Sequence, residues 1–310
     1  MPELIPLAVK VTVFGLMLVV GLDCTLGDLR RQLRRVGLVS TVTLAQFTLV
    51  PLVAVLVCGL LGLQGAVAAS LVLVCCCPAG TISNSYTFIS RGSTALSVAL
   101  TAVSCLLATL ATPAALWLFV QLIEVRGETL HVPAGPLIEQ LALHMALPIF
   151  LGFLVRHRFP AAVLRNLGRL RGLSFALVLG LIALVALSVP GRMLVEEIRS
   201  LLAPALLLTA LLLPVGLVVA RVFRLDPADR KALVFVFPCQ NLAVVALVGV
   251  GVLGQPRLAI FAVLYFVVQA LALLVLAGAL ASRATEPTTA PPPDPRACVA
   301  EDDQPPAATS

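Results

Sequence analysis

CCCPAGTISNSYTFISRG, residues 75–92, follows an apolar run and cannot prolong it as one clean helix. Pro78 has no N–H to donate and its ring collides with the preceding turn, and Gly80 is a poor helix former. Ser83, Asn84 and Ser85 then set polar side chains inside hydrophobic sequence. The run VFVFPCQNLAVV, residues 234–245, repeats the pattern, with Pro238 ahead of Gln240 and Asn241. Each segment is therefore expected to form two half-helices with unwound backbone between them. Such backbone survives at membrane depth only when buried in protein or lining a polar cavity, and a matched pair of interrupted helices points to a carrier's binding site.

The rest of the chain supplies the membrane. Of its 310 residues 60% are hydrophobic and 12% charged, far below the roughly 25% charge of soluble domains. The mean hydropathy is +1.08. Apolar stretches long enough to cross a ~30 Å hydrocarbon core predict nine spans, near residues 5–22, 37–58, 66–90, 94–120, 137–155, 173–189, 201–223, 232–253 and 258–281. The fold class expected is thus an all-α integral membrane protein of about nine transmembrane helices, two of them broken and crossing. The interrupted spans are the third and eighth, each followed by one more span, as two repeats of opposite topology would give, about 5–120 and 137–281, the first one span short. No basic residues precede the first apolar run and no small-residue cleavage site follows it, so it is expected to be retained as a span rather than removed as a signal peptide.

Segments after odd-numbered spans carry fourteen Arg and Lys residues, those after even-numbered spans four. The asymmetry predicts an outside N-terminus and a cytoplasmic C-terminus in the cell membrane. The net charge of +6 is spread over these short connections, which argues for orientation in a lipid bilayer and against a nucleic-acid partner. Residues 284–310 are rich in proline and acidic, with nothing to bury, and are expected to be a disordered cytoplasmic tail behind a transporter domain at 1–283.

Neutral oxygens dominate the polar inventory. Ser97 and Thr101 are four residues apart and share a helix face, and Gln46 lies in the middle of the second span. Such oxygens suit a hard cation such as sodium, while the free N–H groups that open each new half-helix suit a carboxylate or sulfate. Lys10 either snorkels to the interface or acts as a built-in cation. His144 is either a hydrogen-bonded structural residue or a proton relay. Cys75, Cys76 and Cys77 would point about 100° apart on a helix and so would not converge on one ion, although arsenite carriers use thiolates. The other cysteines, at 24, 58, 105, 239 and 298, are expected to be mostly small buried hydrophobes. No HExxH, P-loop or GxSxG motif is present, so an enzyme is not expected.

Three blocks carry a resemblance: GLDCTLGDLRRQLRRV (21–36), the segment from Cys76 to Pro113, and PCQNLAVV (238–245). Together they resemble the bile acid:sodium symporter family of secondary transporters, over nearly all of residues 5–281. Members typically have ten helices, and this chain resembles a nine-helix form lacking the first. The resemblance implies one sodium site from Ser83, Asn84, Ser97 and Thr101. It implies a second from Gln46, Gln240 and the carbonyls of Phe237 and Cys239, with the substrate's acidic group at Thr81 and Asn241. Where the family has a glutamate serving both sites, this chain has Val236. The function implied is sodium-coupled symport of a bile-acid-like or small carboxylate by alternating access. Sodium-independent or proton-coupled transport, arsenite efflux and a non-transporting receptor stand as alternatives.

Overall fold

The computed structural model describes residues 4–25, 27, 30, 34–122, 132–187, 191–255 and 257–283. The expected tail at 284–310, Cys298 with it, lies outside these residues. The described residues are helical throughout apart from connections and one isolated β-bridge.

In chain order the helices are α1 (Leu4–Asp23), α2 (Val36–Leu61), α3 (Gly65–Cys75), α4 (Ile82–Ile89) and α5 (Thr94–Val120). They continue as α6 (Ala134–Arg158), α7 (Pro160–Leu187), α8 (Gly191–Val222), α9 (Pro227–Val236), α10 (Leu242–Val252) and α11 (Arg257–Arg283). Six are long and apolar enough to cross a membrane: α1, α2, α5, α6, most of α8, and α11. The bent α7 makes a seventh if its two parts are one span, while α3 and α10 are shorter apolar helices. The surface agrees with a lipid solvent. Large apolar side chains such as Leu44, Leu110, Phe150, Leu271 and Val275 point outward, each at least 60% exposed, as an integral membrane protein requires.

The expected boundaries hold to a few residues except at two helices. Helix α7 begins at Pro160 and α8 at Gly191, well ahead of the apolar stretches at 173 and 201. Both additions carry charge, Arg165 and Arg169 in α7 and Glu196 and Glu197 in α8. Hydropathy finds the lipid-crossing part of a helix, whereas the hydrogen-bond ladder runs on into polar sequence wherever no breaker stops it.

Local chemistry sets several ends. Asp226 opens α9 by accepting from the N–H groups of Ala228 and Asp229, both at 2.9 Å, with Pro227 in the first turn. In α6 a π turn at Ala142–Ala146 sits just ahead of Pro148, whose missing N–H loosens the ladder there. Two helix groups pack together. Helix α1 lies along α6 and also touches α7. Gly21 and Gly152 face each other's backbones across the α1–α6 contact, where a Cβ on either would strike a carbonyl oxygen of the other helix, Ile149 O or Leu18 O. Small residues let membrane helices approach this closely. The second group gathers α2, α3, α5, α8, α9 and α11 around the interrupted segments.

Candidate site at the paired helix breaks

Helix α3 stops at Cys75 and α4 starts at Ile82, while α9 stops at Val236 and α10 starts at Leu242. The two gaps meet. Gly80 N–H donates to Cys239 O at 2.7 Å, and Asn241 N–H donates to Pro78 O at 3.0 Å. These bonds form an antiparallel bridge between Ala79 and Gln240. Four backbone groups outside the helices, the N–H of Gly80 and Asn241 and the C=O of Pro78 and Cys239, are thus satisfied by the other break, which removes the cost of burying them unpaired in a nonpolar interior. A Cβ on Gly80 would lie 2.7 Å from Gln240 O, so the contact admits only glycine without movement.

Side chains from three further helices tie the bridge in place. From α2, Gln46 Nε2 donates to Gln240 Oε1 at 2.8 Å and to Cys77 O at 3.2 Å. Gln240 Nε2 in turn donates to Phe237 O at 2.6 Å. Gln46 is 1% exposed, and its own Oε1 has no partner among the described residues. From α11, the buried Tyr265 hydroxyl donates to Pro238 O at 2.6 Å. From α5, Cys105 Sγ lies 3.8 Å from Ala79 O and accepts from Asn241 Nδ2 at 3.7 Å.

Of the other expected cation set, Ser83, Asn84 and Ser97 lie in contact. Ser97 Oγ donates to Asn84 Oδ1 at 2.6 Å and lies 3.4 Å from Ser83 Oγ, which donates to Gly80 O at 2.8 Å. Thr101, one turn further along α5, is buried with its Oγ1 unpartnered among the described residues. Val236, 1% exposed, closes α9 with an apolar side chain.

Beside the breaks lies a cavity of about 380 Å³, reached by Thr81, Asn84, Gln240 and Asn241. Its opposite walls are apolar: Leu16, Met17 and Val20 of α1, Phe175 of α7 and Phe266 of α11. Asp23 is the single ionisable side chain among the described lining residues. Thr81 is half-buried at the start of α4, with no capping bond from its side chain. Asn241 differs: its Oδ1 accepts from Ala243 N at 3.1 Å and Val244 N at 3.4 Å, capping α10 itself. The N–H groups expected to be free for an anion are therefore partly occupied.

The other candidates fall apart from this cluster. His144 Nδ1 lies 3.1 Å from Gln140 O on its own helix. Lys10 runs beside Gly251 of α10 and does not line the cavity. Cys75, Cys76 and Cys77 are fully buried, and only Cys75 is helical. Sequence reasoning gave no role to Tyr265 or Gln269 and read Cys105 only as a small buried hydrophobe, which it is, without its contact to the breaks. Gln269 is fully buried on α11 with neither amide atom partnered among the described residues. A hydroxyl or amide inside an apolar span was the available signal, since such groups seek a partner when buried.

Comparison with known proteins gives one family match, described as the Sodium Bile acid symporter family, over residues 10–197. The chain is similar to the "Uncharacterized sodium-dependent transporter YocS" of Bacillus subtilis, 31% identical over 240 residues, covering 74% of this chain and 70% of that protein. It is also similar to the "Probable sodium/metabolite cotransporter BASS1, chloroplastic" of Arabidopsis thaliana, 45% identical over 105 residues, or 33% of this chain and 26% of that one. The "P3 protein" of Homo sapiens is 29% identical over 202 residues, 64% of this chain and 41% of its own length.

Proposed function

The chain belongs to the sodium bile acid symporter family, and from that membership we propose that it is a secondary carrier moving an organic anion together with sodium. The carrying observation is the neutral oxygen cluster around the paired breaks: Asn84 and Gln240 line a cavity, and Gln46 Oε1 and Thr101 Oγ1 are buried with no partner among the described residues. Buried oxygens rarely stay unbonded, and a sodium ion uses such lone pairs.

One sodium would be held by Ser83, Asn84, Ser97 and Thr101. A second would be held by Gln46, Gln240 and the carbonyls of Phe237 and Cys239, each of which keeps a second lone pair beyond the bond it accepts. Thr81 faces the substrate's acidic group, while Asn241 orients the start of α10 towards it. No Arg or Lys lines the described cavity wall, so an entering carboxylate finds no basic partner there. With Val236 in place of a carboxylate, and Asp23 at the end of α1 instead of in either break, a lone cation among the break residues lacks an adjacent counter-charge too. Two uncompensated charges of opposite sign at one low-dielectric site favour binding together. Sodium then binds weakly by itself or at reduced stoichiometry, and the substrate's carboxylate supplies the missing charge.

In this reading nine spans form two repeats of opposite topology, with the N-terminus outside and the C-terminus in the cytoplasm of a cell membrane. Alternating access would carry α1, α6 and α7 past the group holding the breaks. The apolar wall facing the polar breaks suits an amphipathic or small carboxylate, a bile-acid-like acid among them. A sodium-independent or proton-coupled carrier is the second reading, favoured by Val236.

Proteoliposome uptake of a panel of labelled carboxylates under sodium, potassium or proton gradients tests this. Uptake should be greatest with sodium and fall to background in Asn84→Ala and Gln240→Ala. Equal uptake under all three gradients would overturn sodium coupling, and full activity in both variants would overturn the site.

A further inference from the structure

A second cavity, of about 240 Å³, lies between the end of α1 and the α6–α7 junction, far along the chain from any residue of the paired breaks. Cys24, Thr25, Phe153, Arg156, His157 and Pro160 wall it. Arg156 belongs to the last turn of α6, and its Nη1 is buried with no hydrogen-bond partner among the described residues. A guanidinium nitrogen withdrawn from solvent normally keeps an acceptor, so the unpaired donor points to a ligand that brings one.

The surroundings narrow the ligand's chemistry. His157 and Arg158 follow in the same turn, and Arg165 and Arg169 stand exposed on the first turns of α7. Phe153, Pro160 and Cys24 make the neighbouring wall apolar. A free anion needs no apolar wall, and an acyl chain needs no arginine. A molecule with a phosphodiester joined to hydrocarbon matches both, at the end of a membrane-crossing helix where lipid headgroups lie.

We propose that this cavity is a headgroup site for an anionic phospholipid, with Arg156 binding the phosphate and His157 flanking it. Because α1, α6 and α7 meet there, the bound lipid fastens together the helices of the first packing group. The site holds whatever the carrier transports.

Native mass spectrometry of the full-length protein, delipidated and then offered phosphatidylglycerol or phosphatidylcholine, tests the proposal. The wild type should retain phosphatidylglycerol preferentially. Arg156→Gln should weaken that retention about tenfold, the scale of one charge-assisted hydrogen bond, and Arg156→Lys should weaken it less. The exposed control Arg165→Gln should bind as the wild type does. Equal retention by Arg156→Gln and the wild type overturns the site, as does an equal loss in Arg165→Gln. Displacement of the lipid by millimolar inorganic phosphate overturns the lipid as its occupant. If the glutamine variant fails to fold, the wild type still decides, because equal retention of the two lipids sinks the proposal.

Discussion

Gly80 and Val236 show how single residues set the character of the paired breaks. At Gly80 a side chain has nowhere to go: its Cβ would meet Gln240 O at 2.7 Å and Asn241 Cα at 3.5 Å, both backbone atoms. Gly80→Val should therefore push the breaks apart, lower stability by about 1–3 kcal/mol, the usual range for overpacking, and abolish uptake. Uptake at the wild-type level would show that the bridge is dispensable. Val236 acts through what it lacks. Val236→Glu puts a carboxylate four residues ahead of Gln240, at a buried position where its charge is costly without a counter-ion. Thermal unfolding should show the variant less stable than the wild type in potassium and more strongly stabilised by sodium. If sodium raises both midpoints alike, no cation site adjoins residue 236.

Between helices, the interrupted segments are fastened twice, once at the breaks and again at the beginning of α9. Lys231 Nζ donates to Ser90 O at 2.6 Å, satisfying a carbonyl just past the end of α4, and Ser93 N–H donates to Ala228 O at 2.9 Å. Arg35, ahead of α2, bonds Asp229 at 2.6 Å, where the carboxylate is 8% exposed and the guanidinium 36%. An ion pair with one buried member contributes less than its removal costs, because deletion of the partner strands the buried charge. Arg35→Ala should accordingly lower stability by about 1–3 kcal/mol. Adding Asp229→Asn should recover a good part of that loss. A double-mutant cycle on unfolding midpoints measures the difference, and strictly additive effects would show that the pair is uncoupled.

Across the whole molecule, the sequence disclosed what depends on neighbours along the chain. Pro78 and Pro238 announced the two gaps because each stands just ahead of polar residues in an apolar run, whereas Pro51, Pro113, Pro204 and Pro214, set among mostly apolar neighbours, lie inside helices that continue through them, and apolar length announced the long helices. The early starts of α7 and α8 escaped notice because hydropathy is blind to a helix that continues into charged sequence. The chemistry of the site was legible in its residue types, Gln46, Ser97, Thr101 and Gln240 being polar groups stranded in apolar spans. Their partners were not, since Gln46 and Gln240 stand 194 residues apart and Tyr265 reaches Pro238 across 27. Nor did Asn241, expected to face a substrate, announce that its side-chain oxygen would cap its own helix. Local pattern and composition suffice for a membrane-embedded helical chain with two breaks and neutral oxygen donors around them. That the breaks bond to each other, which oxygens stay unpaired among the described residues and where a cavity opens follow from packing alone, because hydrogen-bond satisfaction in a nonpolar interior depends on which distant segments come together.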